Sequence, residues 1–266
     1  MAEQKDKDFP TLTHPPIIEV VCGFVYDPTP LNVLHWGVYW DTRKADFPET
    51  ALHPAILEGL SFPLSHPPMR AWLQSRTGDR LLQLQHDRFF YNWRATGQDR
   101  SDYPRFRDRP GKPGLQTDAV AEFRKFKQFC ADRFGTELKL QRIELSKIDV
   151  LVRDGDWANM SELAEILPAT AAFKSIQRSD EREVSLRFVE HVNGHAVVVD
   201  VNTMRSPPTS AIATEARLEC RAIVPVTPGA EVESLFAEAN HVLNTVFFDL
   251  MSPTQVHRFS GEKKNG

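Results

Sequence analysis

Between Arg80 and Arg94, apolar and polar residues alternate in two runs that mirror each other across His86-Asp87. Side chains of a strand point to alternate faces. A reversal at His86-Asp87 therefore sets Gln85 against Arg88, Gln83 against Phe90 and Leu81 against Asn92. The other face pairs Leu84 with Phe89, Leu82 with Tyr91 and Arg80 with Trp93, a largely apolar set that belongs on a core. The first face carries Gln83, Gln85, Arg88, Asn92 and Arg94, a row of directional hydrogen-bonding groups. His-Asp is not the pair that two-residue turns favour, and a four-residue loop from Gln85 to Arg88 keeps the same register. Asp102-Tyr103-Pro104 follows as a turn, with Pro104 biasing Tyr103 to an extended conformation.

The same reading extends along the chain. Residues 17–26 alternate as a strand after the Pro15-Pro16 stop. Thr29-Pro30 resembles an N-cap followed by a first-turn proline, opening a short helix to about Thr42 with Leu31, Leu34 and Val38 along one side. Residues 47–68, rich in Pro and His, read as a long connection. Residues 69–77 form a further strand, turned by Thr77-Gly78-Asp79 into the hairpin. Residues 107–114 are a loop. Residues 117–134 form a helix whose stripe is Val120, Phe123, Phe126, Cys130 and Phe134, with Gly135 just past its end. A strand over 138–152 changes phase near Ser146-Lys147, the signature of a bulge. Residues 160–167 form a short helix closed by Pro168, and strands follow over 173–178, 182–191, 195–203 and 214–224. Asn193-Gly194 is the strongest two-residue turn in the chain; it pairs Arg187 with Asp200, Ser185 with Asn202 and His191 with Ala196. Residues 231–251 are the longest amphipathic run, striped by Val232, Leu235, Ala239, Val242, Val246 and Leu250.

The order strand, helix, several strands, long helix therefore occurs twice. It predicts an α+β fold of two tandem units, each an antiparallel sheet with one long helix. In outline this is the helix-grip or TATA-binding-protein-like saddle, with tandem ferredoxin-like halves as the alternative. The boundaries are a loose tail at 1–14, halves at 15–135 and 136–259, and a second loose tail at 260–266.

Three short segments, PPIIEV from Pro15 to Val20, LQLQHDRFFYNWR from Leu82 to Arg94 and YPRF from Tyr103 to Phe106, carry a resemblance. The chain resembles a sporadically distributed bacterial family of uncharacterised proteins of about this length. The resemblance implies a bacterial cytoplasmic origin and brings no agreed activity.

Composition narrows the classes. The 266 residues are 41% hydrophobic and 26% charged, with a net charge of -4, which argues against a general nucleic-acid coat but not against a local basic patch. Cys22, Cys130 and Cys220 lie far apart without a CxxC pair, as inert thiols in a reducing compartment do. The first residues lack an apolar signal region. No run reaches the ~18–20 apolar residues of a membrane span. A soluble cytoplasmic protein is the expectation.

Candidate chemistry is sparse. His191 and His195 fall on opposite faces of their hairpin, so they cannot share a tetrahedral ion, and no metal or cofactor is expected. Gly111-Lys112-Pro113 lacks the spacing of a phosphate loop, and GxSxG, HExxH and GxGxxG do not occur. His241 and Asn244, a turn apart, read as facing solvent or a partner. The binding residues expected are Gln83, Gln85, Arg88, Asn92, Arg94, Tyr103, Arg105 and Arg107. Arg94 and Arg105 serve either in binding or as braces to Asp99, Asp102 or Asp108. With no acid–base or nucleophile set, the pattern predicts a non-enzymatic binding or adaptor protein whose polar sheet face holds a protein partner or a second copy. The alternative is a nucleotide or nucleic-acid binder: residues 88–127 hold ten Lys or Arg against five Asp or Glu, interleaved with aromatics.

Overall fold

The computed structural model describes residues 9–56, 68–97, 103–172, 183–205, 210 and 212–261. The fold is α+β, with a nine-stranded antiparallel sheet and five α-helices among the described residues. In chain order the elements are β1 (Ile17–Tyr26), α1 (Val33–Arg43), β2 (Glu49–Pro54), β3 (Met69–Gln74), β4 (Arg80–Gln85), β5 (Arg88–Arg94) and α2 (Leu115–Phe134). Then come β6 (Leu140–Val152), α3 (Met160–Ile166), β7 (Ser185–Val192), β8 (His195–Met204), β9 (Glu215–Pro225), α4 (Val232–Leu250) and α5 (Pro253–Ser260). Across the sheet the order is β2-β3-β4-β5-β1-β6-β9-β8-β7. Strands β1 and β6 therefore pair with each other at the centre.

The hairpin register is the one that parity predicts: Gln85 faces Arg88, Gln83 faces Phe90 and Leu81 faces Asn92. The second hairpin likewise pairs Arg187 with Asp200 and Ser185 with Asn202. His195 reaches Glu238 of α4 at 3.1 Å, while His191 is exposed, as opposite faces require. Ala216, Leu218, Cys220 and Ala222 of β9 are fully buried, each separated by a partly exposed polar residue.

One sheet face carries α1, α2 and α4. Its core is an aromatic stack. Phe24 of β1 lies 4.2 Å from Phe123 of α2 and 5.2 Å from Phe236 of α4, and Phe89 meets Phe126 at 5.3 Å. Such pairs add specificity to an already large apolar burial. Leu82, Leu84 and Tyr91 complete this face and are buried.

Several expectations are corrected. Within residues 47–68, Glu49–Pro54 is a strand paired along its length with β3. It lies at the sheet's edge and is exposed at nearly every position, so it carries no apolar alternation to read. Helix α1 starts one turn later, capped by Asn32, while the Thr29 hydroxyl donates to the His86 carbonyl. Its buried stripe is Trp36, Tyr39 and Arg43; Leu34 and Val38 face solvent. No bulge interrupts β6 at Ser146-Lys147, since pairing with β9 runs unbroken from Arg142 to Val152. The irregularities fall instead against β1, between Ile17 and Glu19 and between Val25 and Tyr26. Residues 9–14 are not loose. Leu12 is buried, His14 N–H donates to the Phe259 carbonyl at 2.9 Å, and Phe9 stacks on Phe248 at 5.3 Å. The predicted strand at 173–178 lies outside the described residues.

Candidate functional site

The eight expected binding residues divide between the two faces of the sheet. Gln83, Gln85, Arg88, Asn92 and Arg94 lie on the face away from the helices; Tyr103, Arg105 and Arg107 lie on the helix side.

On the helix-free face, Gln83, Gln85, Arg88 and Asn92 are buried and bonded to one another or to near neighbours. Buried polar groups are satisfied in this way because an unmet donor or acceptor is costly. Gln85 accepts from the Ile56 N–H at 2.8 Å and donates to the Ile56 carbonyl at 2.9 Å and to Asp87 Oδ1 at 2.7 Å. Arg88 pairs with Asp87 at 3.0 Å. A relay then links four strands: Arg70 Nη1 donates to Gln83 Oε1 at 2.7 Å, Gln83 Nε2 to Asn92 Oδ1 at 3.0 Å, and Asn92 Nδ2 to Glu19 Oε1 at 2.6 Å. The same oxygen of Glu19 receives Arg94 Nε at 3.0 Å. Arg94 is thus held by Glu19. Of the acids expected to brace it, Asp108 is engaged elsewhere, and Asp99 and Asp102 lie outside the described residues.

The relay fixes two guanidinium groups about Trp72 of β3, which sequence reasoning passed over. Arg94 lies 4.7 Å and Arg70 5.4 Å from the Trp72 ring, with His53 packed at 3.9 Å. Arg70 has no carboxylate within ion-pair range among the described residues, and its Nε is buried without a hydrogen-bond partner. Burial, then the positive charges of Arg94 and Arg88, hold its pKa below the ordinary arginine value.

On the helix side, Tyr103, Arg105 and Arg107 line a cleft of about 410 Å³ between residues 9–17, the YPRF segment, β6 and α4. Arg105 adopts a left-handed backbone (φ 67) and donates to the Leu12 carbonyl at 2.9 Å; Arg107 donates to the Ala237 carbonyl at 3.4 Å. A non-glycine residue in that conformation stores strain, a feature concentrated at functional sites. Asp108 accepts from Gly114 N–H at 2.6 Å and the Thr117 hydroxyl at 2.8 Å, which anchors the segment to the start of α2 and lowers its pKa. Burial raises the Tyr103 pKa, only partly offset by Arg105, so the phenol stays neutral.

Two cleft residues were missed. Lys147 and Asp149 of β6 sit in the core-facing row, opposite Cys220 and Leu218, where alternation leads one to expect apolar residues. Their signal was the phase change read as a bulge. Lys147 Nζ donates to Asn240 Oδ1 and Asn244 Oδ1, both at 2.7 Å. Asn244 therefore faces the cleft rather than solvent or a partner.

The three cysteines are buried, and burial pushes the Cys130 thiol up to about 12 and the other two further. Among the described residues no three of His, Cys, Asp and Glu gather as metal ligands would, and no helix is long and apolar enough to cross a membrane. The chain matches no protein-family model and no curated protein.

Proposed function

We propose that the chain is a non-enzymatic binding protein that holds an acidic segment of a protein partner at Arg70 and Arg94, on the helix-free face of the sheet. The observation that carries this reading is Arg70, a half-buried guanidinium among like charges without a carboxylate of its own among the described residues. A charge withdrawn from water without a counter-ion is costly, and an incoming carboxylate offsets that cost. Arg70 gives Nη1 to Gln83. Its Nη2 remains, and with the Arg94 guanidinium over the same Trp72 ring it offers a carboxylate two points of grip. Gln83, Asn92 and Glu19 are then the brace that sets the two arginines, and Gln85 and Arg88 continue it along the hairpin. A second copy of the chain is one source of the acidic segment, in keeping with the resemblance to a family without assigned chemistry.

A nucleic-acid strand fits this face less well. The Trp72 ring already carries His53 and Arg94, leaving no platform for a base.

The strand order also supports reading the sheet as two tandem units meeting at β1 and β6. In each, the strand before the long helix (β5 or β9) lies beside the unit's first strand. Every neighbouring pair is antiparallel, whereas ferredoxin-like halves place a split βαβ pair side by side.

The test is fluorescence anisotropy with a labelled glutamate-rich peptide and, separately, a single-stranded oligonucleotide. The wild-type chain should bind the peptide. Arg70→Lys keeps a charge and a donor for Gln83 but lacks the second terminal nitrogen of the guanidinium, so it should keep its melting temperature and lose the peptide. Equal peptide affinity in both proteins, or capture of the oligonucleotide instead, would sink the reading.

A further inference from the structure

The cleft beside the YPRF segment lies across the sheet from Arg70 and takes no part in the reading above. We infer that it is a second binding site, for a small organic anion with one acidic headgroup on an apolar body.

The argument starts at Lys147. An ammonium group only donates, so both amides that meet it must present their oxygens, as Asn240 and Asn244 do. Fixing the oxygens fixes the other ends: both Nδ2 groups are turned away from Lys147, and neither meets a protein acceptor among the described residues. Asn240 is only 3% exposed. A buried amide does not forgo its donors cheaply, so these N–H groups are set for an acceptor that the described residues do not supply. The charge of Lys147 lies directly behind them.

The lining supplies the rest of the ligand's description. Arg105, Arg107 and Arg109 stand along the same cleft with Lys147, against Asp108 and Asp149. Asp108 is committed to Gly114 and Thr117, so the balance is positive. Tyr103, Phe106, Phe247 and Phe248 make apolar walls. A volume of about 410 Å³ falls in the range of small-molecule sites, which combine apolar walls with a few directed polar groups. Carboxylate and phosphate headgroups share the chemistry required: two or more acceptor oxygens and a negative charge.

Titration of the full chain with anilinonaphthalene sulfonate, an aromatic sulfonate, should give saturable fluorescence enhancement. Decanoate and decyl phosphate are then used as competitors, and the more effective one identifies the headgroup. The discriminating variant is Asn244→Asp. Its carboxylate still accepts from Lys147, so the fold and melting temperature should hold, while the N–H donors are replaced by a negative charge. Dye affinity should fall by about tenfold or more. Arg70→Lys, on the opposite face, should leave it unchanged. Undiminished affinity in Asn244→Asp overturns the proposal. So does displacement by decyltrimethylammonium in preference to either anion, displacement by neither anion, or loss of dye binding in Arg70→Lys.

Discussion

Asp87 shows how much one side chain can hold at a turn. Burial alone would raise its pKa, but hydrogen bonds and charge from Arg88, with His86 and Gln85 assisting, bring it below the usual carboxylate value. A carboxyl whose pKa is depressed in the fold contributes stability above its unfolded pKa, and that stability is lost as pH falls through the folded one. Asp87→Asn should therefore melt lower than wild type at neutral pH, and the gap should close on acidification. Melting curves from neutral to acid pH check this; a gap that persists in acid would mean that packing, not charge, is what Asp87 supplies. Gly114 makes a steric point instead. A Cβ there would stand 2.4 Å from the Arg107 carbonyl carbon and 2.5 Å from the Phe106 oxygen, both backbone atoms that cannot swing aside. Gly114→Ala should lift the YPRF segment from α2, lowering the melting temperature and weakening dye binding in the cleft together. An unchanged melting temperature would show that the loop yields.

At the scale of elements, α4 is the principal buttress of strands β6 to β9, and Phe236 ties it to β1. That ring is fully buried, touching Phe24 of β1 and lying 6.3 Å from Phe106. Phe236→Ala should cost about 3–5 kcal/mol, measured by denaturant midpoint, more than any single change on the helix-free face. Val246 and Phe247, also buried, belong to the same face of α4. The long helices were legible because each has a single apolar stripe. Helix α1 was expected too, but its buried face was not, because it has two apolar stripes. Leu34 and Val38 alternate with Trp36 and Tyr39, and only the position of α2 selects which pair is covered: Tyr39 packs on Phe126, and Arg43 pairs with Glu122.

For the whole molecule, the pairing of β1 with β6 governs cooperativity. It runs from Ile17–Asp149 to Tyr26–Leu140 through the centre of the sheet. Cutting at Gly135 would expose two long central edges, which aggregate when unpaired. Each half expressed alone should be insoluble, and co-expression should restore a soluble complex. Two separately cooperative fragments would instead show that the sheet is two independent folds in contact.

Alternation and turn chemistry settled both hairpins residue by residue, because period-two patterning leaves a paired strand only one register that buries its apolar face. Amphipathic spacing likewise settled α2 and α4. Parity also grouped Gln83, Gln85, Arg88 and Asn92 correctly on one face, but it could not say whether that face met water. Burial depends on what crosses the strands from elsewhere in the chain, as the Ile56 peptide does at Gln85. Arg94 and Arg105 looked like neighbours in sequence, yet the sheet lies between them. In the other direction, Lys147 and Asn244 are brought within hydrogen-bonding distance although 97 positions separate them. A phase change in β6 reads the same whether the backbone bulges or a polar pair turns inward. Only the unbroken pairing with β9 decides for the polar pair, since register is a property of two strands and cannot be read from one.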